Sequence, residues 1–322
     1  MKIEIQPRLH LGLISMHAEA KRRNGGLGFA IAAPTGVVTC RSAQGFSFDD
    51  RRDVPLSDME RQRIEDAVND ARETHRLDYS VDAVLKGNLL THVGMGLGTA
   101  IRLAVLESLF VLNGREATPE DLIASSQRGG TSGIGIRTYF NGGFVFDLGV
   151  PQQIGGHLPS SQAMPSKPPL VLHQLAMPDW PLCLVVPKGL APKTQYQEVE
   201  FFKRVTPLRD KDSFEAAYHA LFGVSAALVE ADYSNFCSAV TDLQSTKWKS
   251  LEWSEYGSGL YKIADHLRGL GADCVGLSSL GPMLFAFGDE ATLAKVAAEA
   301  SPLDASVIRT RPCNTGRRVL GK

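Results

Sequence analysis

Gly94-Met95-Gly96-Leu97-Gly98-Thr99-Ala100 runs straight into the apolar stretch from Ile101 to Leu112, and the reading of this join decides the fold. Three glycines in five residues let a backbone lie against a ligand, because no Cβ blocks a positive φ or a close approach. Behind them Ile101, Val105, Leu109 and Leu112 recur at the spacing of one helical face, with Ala104 and Leu106 beside them. A glycine loop that feeds a helix N-terminus offers orphan N–H groups and the positive end of the helix dipole, which together favour phosphate. The same residues would also serve as a plain turn before a core helix, and the pattern alone does not choose. Two familiar versions of such a loop are excluded. No Lys-Ser or Lys-Thr pair follows the last glycine, and the third glycine and distal acid of the dinucleotide-binding fingerprint are missing.

A chain of 322 residues suits two closely packed domains better than one core. Its 43% hydrophobic and 21% charged residues are those of a globular protein, and a formal net charge of −1 gives no basic field for nucleic acid. The N-terminal MKIEIQPRLHLGLISM lacks the unbroken apolar core of a signal peptide, and no later run approaches a membrane span. Cys40, Cys183, Cys237, Cys274 and Cys313 are scattered with no CxxC pair, which argues against a zinc site or a disulfide framework. Their odd number fits a reducing compartment. The expectation is a cytoplasmic protein with neither nucleic-acid nor membrane partners.

In chain order, Lys2 to Ile5 reads as a short strand, followed by Pro7-Arg8-Leu9-His10-Leu11-Gly12 and a polar hairpin-like stretch from Ala18 to Asn24. Val37 to Cys40, Phe46 to Phe48 and Tyr79 to Leu85 are further strands, and Ser57 to His75 is a helix capped by Ser57 or Asp58. Thr118-Pro119-Glu120-Asp121 opens another helix, with a hydroxyl cap, proline first and acids in the first turn. Gly142-Gly143-Phe144-Val145-Phe146-Asp147 is a strand after a tight turn. The Pro, Ser, Gln and Gly content from Pro151 to Pro181 marks a connector and places a boundary between domains 1–155 and 156–322. Beyond it come a strand at Leu182 to Val186, helices at Phe214 to Glu230, Phe236 to Thr246 and Ser254 to Leu270, and strands around a Gly/Ser turn at 275–287. A helix at Glu290 to Glu299 and a strand at Ser306 to Arg309 complete an α+β unit.

Four glycine-rich segments recur, at 24–28, 94–98, 129–135 and 276–281, each holding or adjoining a hydroxyl or basic residue. Turns alone could produce them; together they point to a shared polyphosphate or sugar-phosphate site. Arg8 and His10 fall on one strand face, where the histidine is either a satisfied structural group or a ligand contact. His17 and His92 carry the same two readings. Lys21-Arg22-Arg23 is a solvated hairpin tip or a substrate contact. Glu198 and Glu200 could ligate Mg²⁺, act as a general base, or lie on a solvated face. No Ser/His/Asp order or nucleophile elbow is present.

As an ordered set, Pro7-Arg8-Leu9-His10-Leu11-Gly12-Leu13, Asn24-Gly25-Gly26-Leu27-Gly28 and His92 to Thr99 resemble the GHMP kinase superfamily. Arg128-Gly129-Gly130-Thr131-Ser132-Gly133-Ile134-Gly135, Gly142 to Asp147, Glu200-Phe201-Phe202 and Leu277-Ser278-Ser279-Leu280-Gly281-Pro282 continue the match over nearly the whole chain. Within the superfamily the pattern is most similar to β-ribofuranosylaminobenzene 5′-phosphate synthases and related C-nucleoside synthases. The resemblance implies an α+β, two-domain GHMP-kinase-like fold, with an N-terminal mixed α/β domain and a C-terminal ferredoxin-like one. It also implies a reaction: phosphoribosyl pyrophosphate joins an aromatic or heteroaromatic carboxylic acid, pyrophosphate and CO2 leave, and a C-riboside 5′-phosphate results.

By the same resemblance, Arg8, His10, Ser15 and Glu200 are the catalytic candidates. Gly94, Gly96, Leu97, Gly98, Thr99, Thr131, Ser132 and Gly133 would bind phosphate, and Asn24, Gly25, Gly26, Ser278 and Ser279 would lie on the acceptor side. Mg²⁺ is the expected cofactor, with no ligands assigned, and a homodimer the expected assembly. Two departures bear on the acceptor. Ser15 stands where those synthases carry an acid, and Asp147-Leu148-Gly149-Val150 replaces an acid, two glycines and a histidine. The competing readings are an ATP-dependent small-molecule kinase and a non-catalytic sensor of a phosphorylated ligand. Against the kinase, Thr99-Ala100-Ile101 replaces the paired serines common after such a loop.

Overall fold

The computed structural model describes residues 1–91, 93–126, 133–152, 156–159 and 167–321. Among them three sheets form. The first has five strands in the order Arg318–Gly321, Lys2–Ile5, Gly36–Ala43, Ser80–Gly87, Ser47–Asp50, antiparallel except for the last pair. The second begins with the hairpin Arg8–Ser15 and Arg22–Ala30 and continues through Phe144–Asp147 to Val171–Leu175, with Val150–Pro151 pairing Arg22 and Arg23. The third is antiparallel in the order Cys274–Leu277, Leu284–Phe287, Leu182–Pro187, Ala305–Thr310. Numbered along the chain, that order is 2-3-1-4, and with its intervening helices it is the expected ferredoxin-like arrangement.

The helix Leu97–Leu112 is the axis of the N-terminal half. Its residues Leu97 and Thr99 through Phe110 are all buried. A helix apolar nearly all round can be stable only inside a core, and here it packs against the strand Gly36–Ala43 and the helices Asp58–His75, Pro119–Ser126 and Ile134–Asn141. Its polar residues are buried with partners. Tyr139 Oη donates to Glu107 at 2.6 Å, and Arg317 forks onto the same carboxylate at 2.8 and 3.0 Å, which pins the C-terminal segment to the back of the helix. The core continues across both halves: Phe29 meets Phe287 at 6.1 Å between ring centres, and Phe287 meets Phe236 at 5.3 Å.

Local expectations hold where the chain supplies its own stop and start chemistry. Ser57 and Glu60 make a reciprocal capping box, and Thr118 Oγ1 accepts from the Asp121 amide at 3.1 Å. Other elements differ. The connector contains the strand Val171–Leu175, which extends the second sheet, and Arg318–Gly321 returns to pair with Lys2–Ile5. Both lie beyond residue 155, so the chain crosses between its halves more often than a single boundary at 155/156 describes. The helix expected from Phe214 starts at Asp210 and passes through a π-helical stretch, His219–Ser225, before resuming at Ala226–Glu230. The helix expected from Ser254 to Leu270 runs Gly257–Gly269, and a further helix, Lys247–Ser254, precedes it. Gln195–Val205 is also a helix, opened by a capping box between Thr194 and Gln197.

Candidate functional site

A cavity of about 610 Å³ opens between the two halves. One wall is the glycine loop, with Gly94, Gly96, Leu97 and Gly98, and Arg8 beside it. The second is the start of the helix Asp58–His75 and the residues before it. The third comes from the C-terminal half, through Pro192 to Gln195, Glu198 and the turn Ser279–Gly281.

The loop's shape follows from its glycines and from what clamps them. Gly94 sits at φ +104°, and a Cβ there would fall 2.2 Å from the Ser278 carbonyl oxygen, so the second and fourth glycine segments interlock. The Gly94 carbonyl accepts from Arg8 Nη1 at 2.6 Å and from Ser278 Oγ at 2.9 Å, while the Arg8 amide donates to the Met95 carbonyl at 3.1 Å. Gly96, at φ +68°, is the N-cap of the helix Leu97–Leu112. It supplies no side-chain cap, and no acid occupies the first turn. The helix N-terminus, with its positive dipole end, thus borders the cavity with no acid in the first turn to neutralise it. The Arg8 guanidinium lies over Gly96, whose added Cβ would come within 2.6 Å of Arg8 Cζ. A cation and a bare helix N-terminus converge on one spot, and that arrangement suits a polyphosphate.

Of the residues the sequence singled out, Arg8, Gly94, Gly96, Leu97, Gly98 and Ser279 line this cavity. Thr99 is buried one turn behind, and Gly135 lies against it, with an added Cβ 3.7 Å from Thr99 Cβ. Gly133 turns inward, its amide donating to Asp147 Oδ2 at 2.9 Å. His10 is buried. Its amide donates to Ser278 Oγ at 3.1 Å, its carbonyl accepts from the Ser279 amide at 3.1 Å, and its ring packs over Gly26. Burial, and then the nearby Arg8 and Lys249 charges, hold the imidazole well below its usual range, so it is neutral near pH 7. Ser278 is likewise a buried clamp.

The remaining candidates do not reach the cavity. Ser15 Oγ donates to the Arg22 carbonyl at 2.6 Å and closes the hairpin. Glu200 pairs with Lys203 at 2.9 Å on the outer side of its helix, and Glu198, two residues earlier, is the acid that faces the cavity. Asn24 is buried in a left-handed conformation with Oδ1 3.3 Å from His157 Nδ1, and Gly25 packs against the backbone of Asp147 to Gly149. In the basic run, Arg22 ties down the carbonyls of Leu148 and Gly149 at 3.2 and 2.7 Å. His92, Thr131, Ser132 and Arg128 lie outside the described residues.

Two buried charged groups were not legible in the sequence. Asp147 is fully buried, its Oδ1 accepting from the Gly149 amide at 2.7 Å. Burial pushes its carboxyl up to about 7 against the pull of those amides and of Arg22. Lys249 lies fully buried under Gly12, donating to Glu252 and, at 2.7 Å, to the Leu277 carbonyl just before the Ser278 clamp. Burial lowers its pKa while Glu252 pulls the other way. Lys249 and Glu252 are three apart on one helix face, a spacing that also fits a solvated ion pair. Among the described residues, no group of three or more His, Cys, Asp or Glu could hold a metal ion, and no helix is long and apolar enough to cross a membrane.

No family model matches the chain. A β-ribofuranosylphenol 5′-phosphate synthase from Archaeoglobus fulgidus is 30% identical over 292 residues, covering 90% of this chain and 88% of that protein. A synthase of the same name from Methanocaldococcus jannaschii is 28% identical over 334 residues, covering 99% and 100%. Among solved structures, homoserine kinase from Cytophaga hutchinsonii superposes with a TM-score of 0.68 at 15% identity, covering 99% of this chain and 97% of that one. The kinase shares the fold, the synthases share the sequence along its length, and the chain belongs to the β-ribofuranosylphenol 5′-phosphate synthase family on a GHMP-kinase-like fold.

Proposed function

We propose that this protein joins phosphoribosyl pyrophosphate to an aromatic or heteroaromatic carboxylic acid, with loss of pyrophosphate and CO2, to give a C-riboside 5′-phosphate. The observation that carries the reading is the meeting of Arg8 with the uncapped N-terminus at Gly96 on one wall of the cavity. Membership of a family whose relatives are named for a ribofuranosylphenol 5′-phosphate supports the product class.

The chemistry requires little acid–base help. As the anomeric C–O bond breaks, its electron pair leaves with pyrophosphate and an oxocarbenium-like centre develops. A π pair from the ring carbon bearing the carboxylate forms the new C–C bond. The C–carboxylate bond then breaks, CO2 departs, and its electron pair restores the aromatic ring. The protein's task is to hold the charge that gathers on pyrophosphate and to align the two carbons. Arg8 and the amides from Gly96 onward are placed for the first part, and the neutral, buried His10 and Ser278 keep that loop in position.

Mg²⁺ fits the donor set in a specific way. It commonly binds through one or two carboxylates and substrate phosphates, and Glu60 and Glu198 line the cavity from two walls. Glu198 would hold the ion, since Glu60 Oε2 already accepts from the Ser57 amide and hydroxyl in the capping box, and the ion's charge, when bound, would add to the neutralisation of the leaving pyrophosphate.

The test is incubation with phosphoribosyl pyrophosphate, Mg²⁺ and a panel of aromatic acids. Pyrophosphate release that depends on an acid, matched by CO2, is expected. ATP consumption with a sugar or alcohol acceptor and no pyrophosphate release would overturn the reading in favour of a kinase, and tight donor binding without turnover would favour a sensor.

A further inference from the structure

The wall of the cavity opposite the glycine loop has a different chemistry. Val54 and Leu56 precede the helix Asp58–His75, and Met59, Arg63 and Ile64 come from its first two turns. Met59 is 58% exposed and Val54 53%, so both present apolar surface to the opening. Arg63, one turn beyond Met59, makes no ion pair with a described acid, while the other basic side chains of the cavity are engaged. Arg8 donates to Gly94, Arg102 to the Ser126 carbonyl, and Lys193 to Glu255. An apolar surface with a spare guanidinium is complementary to a flat, anionic, partly apolar molecule.

We propose that this wall is the acceptor seat. The ring of an aromatic carboxylic acid lies against Val54, Leu56, Met59 and Ile64, and its carboxylate is drawn by Arg63. The assignment rests on the phosphoribosyl transfer proposed above and deepens it. An α-configured donor that yields a β-riboside must be attacked on the face opposite its leaving group. With pyrophosphate on the glycine loop, the acceptor then belongs at the other wall, and the ribose spans the space between. The corner at Asn24, Gly25 and Gly26 does not line the cavity, and an added Cβ on Gly25 or Gly26 would meet backbone atoms at 3.0 and 2.7 Å. Because the carboxylate is still charged when the C–C bond forms, Arg63 binds ground state and transition state alike, and its effect falls on KM.

Kinetics of Arg63→Gln, with donor affinity measured separately by calorimetry using phosphoribosyl pyrophosphate, tests this. The expected result is an acid KM raised about tenfold or more, with kcat and donor affinity unchanged and part of the loss recovered in Arg63→Lys. Met59→Glu, an exposed substitution that places an anion on the same wall, is expected to raise the acid KM as well. An unchanged acid KM in Arg63→Gln, in an enzyme whose wild type turns over, overturns the seat and leaves the reaction standing. A wild type inert towards every acid overturns both. If Arg63→Gln and Met59→Glu weaken adenosine diphosphate binding and leave the acid KM alone, the wall seats a nucleobase and the proposal falls.

Discussion

The glycines of the strand Arg22–Ala30 and Gly96 of the loop at 94–98 face different kinds of neighbour, although Gly94 in the same loop also meets backbone, at the Ser278 carbonyl. An added Cβ on Gly28 would fall 2.2 Å from the Leu9 carbonyl oxygen, and one on Gly26 would fall 2.7 Å from that of Gly12. Those obstacles are the backbone of a paired strand. At Gly96 the obstacle is the end of the Arg8 side chain, and beyond it lies open cavity. Both segments need glycine for close approach. In the strand the approaching group is paired main chain; at Gly96 it is the end of a long side chain at the edge of a cavity. Glycine spacing reports that contact is tight, and only the partner's identity tells whether the contact is structural or functional.

That contrast can be broken by substitution. Gly28→Val should be the most damaging change, costing about 3 kcal/mol of stability or preventing folding, because paired backbone cannot yield. Urea denaturation checks it, and a Gly28→Val protein of near-normal stability would mean that the hairpin is not packed as described. Gly96→Ala should cost about 1–2 kcal/mol for the left-handed backbone and leave the fold intact. Its main effect is displacement of Arg8, so affinity for phosphoribosyl pyrophosphate should weaken about tenfold or more. If it unfolds the protein as Gly28→Val does, the distinction between the two segments is lost.

The smallest effect concerns pH. Asp147 closes the glycine strand from behind, and its carboxyl is pushed up to about 7 from 3.8. Between roughly pH 4 and 7 the folded chain holds a proton that the unfolded chain has released, so this group's contribution to stability declines as pH rises through that window and levels off above it. Asp147→Asn should remove that component. Subtracting its melting temperatures from those of the wild type across the window should expose a downward slope, and a flat difference would contradict the assignment.

Much of the fold was legible because local chemistry and long-range packing agree. The Ser57/Glu60 box, the proline-led helix at Thr118 and the apolar helix after Gly98 each declare themselves within a few residues. What escaped reading depends on partners distant in the chain. Arg318–Gly321 is exposed along its length and becomes a strand only by pairing with Lys2–Ile5. Lys247–Ser254 hides because its buried face carries Lys249 and Glu252, which resemble surface charges until each other and the Leu277 carbonyl are in place. The helix at Gln195 had a visible Thr194/Gln197 signature, masked by the proline-rich approach.

The site divides the same way. Arg8 and the glycine loop stand out in the sequence because phosphate binding has a backbone signature, and both line the cavity. Glu200 was favoured over Glu198 although only helical phase separates them, and Glu198 is the one turned to the cavity. The wall at Met59 and Arg63 carries no motif and emerges only when the helix Asp58–His75 is set across from the loop.

The proposal that the loop at 94–98 holds the leaving group of an activated ribose is open to a crystal structure with phosphoribosyl pyrophosphate bound. Pyrophosphate is expected within about 3 Å of the amides that follow Gly96, beside the Arg8 guanidinium, with the ribose directed towards Met59 and Arg63. Pyrophosphate bound elsewhere, with the loop unoccupied, would contradict it.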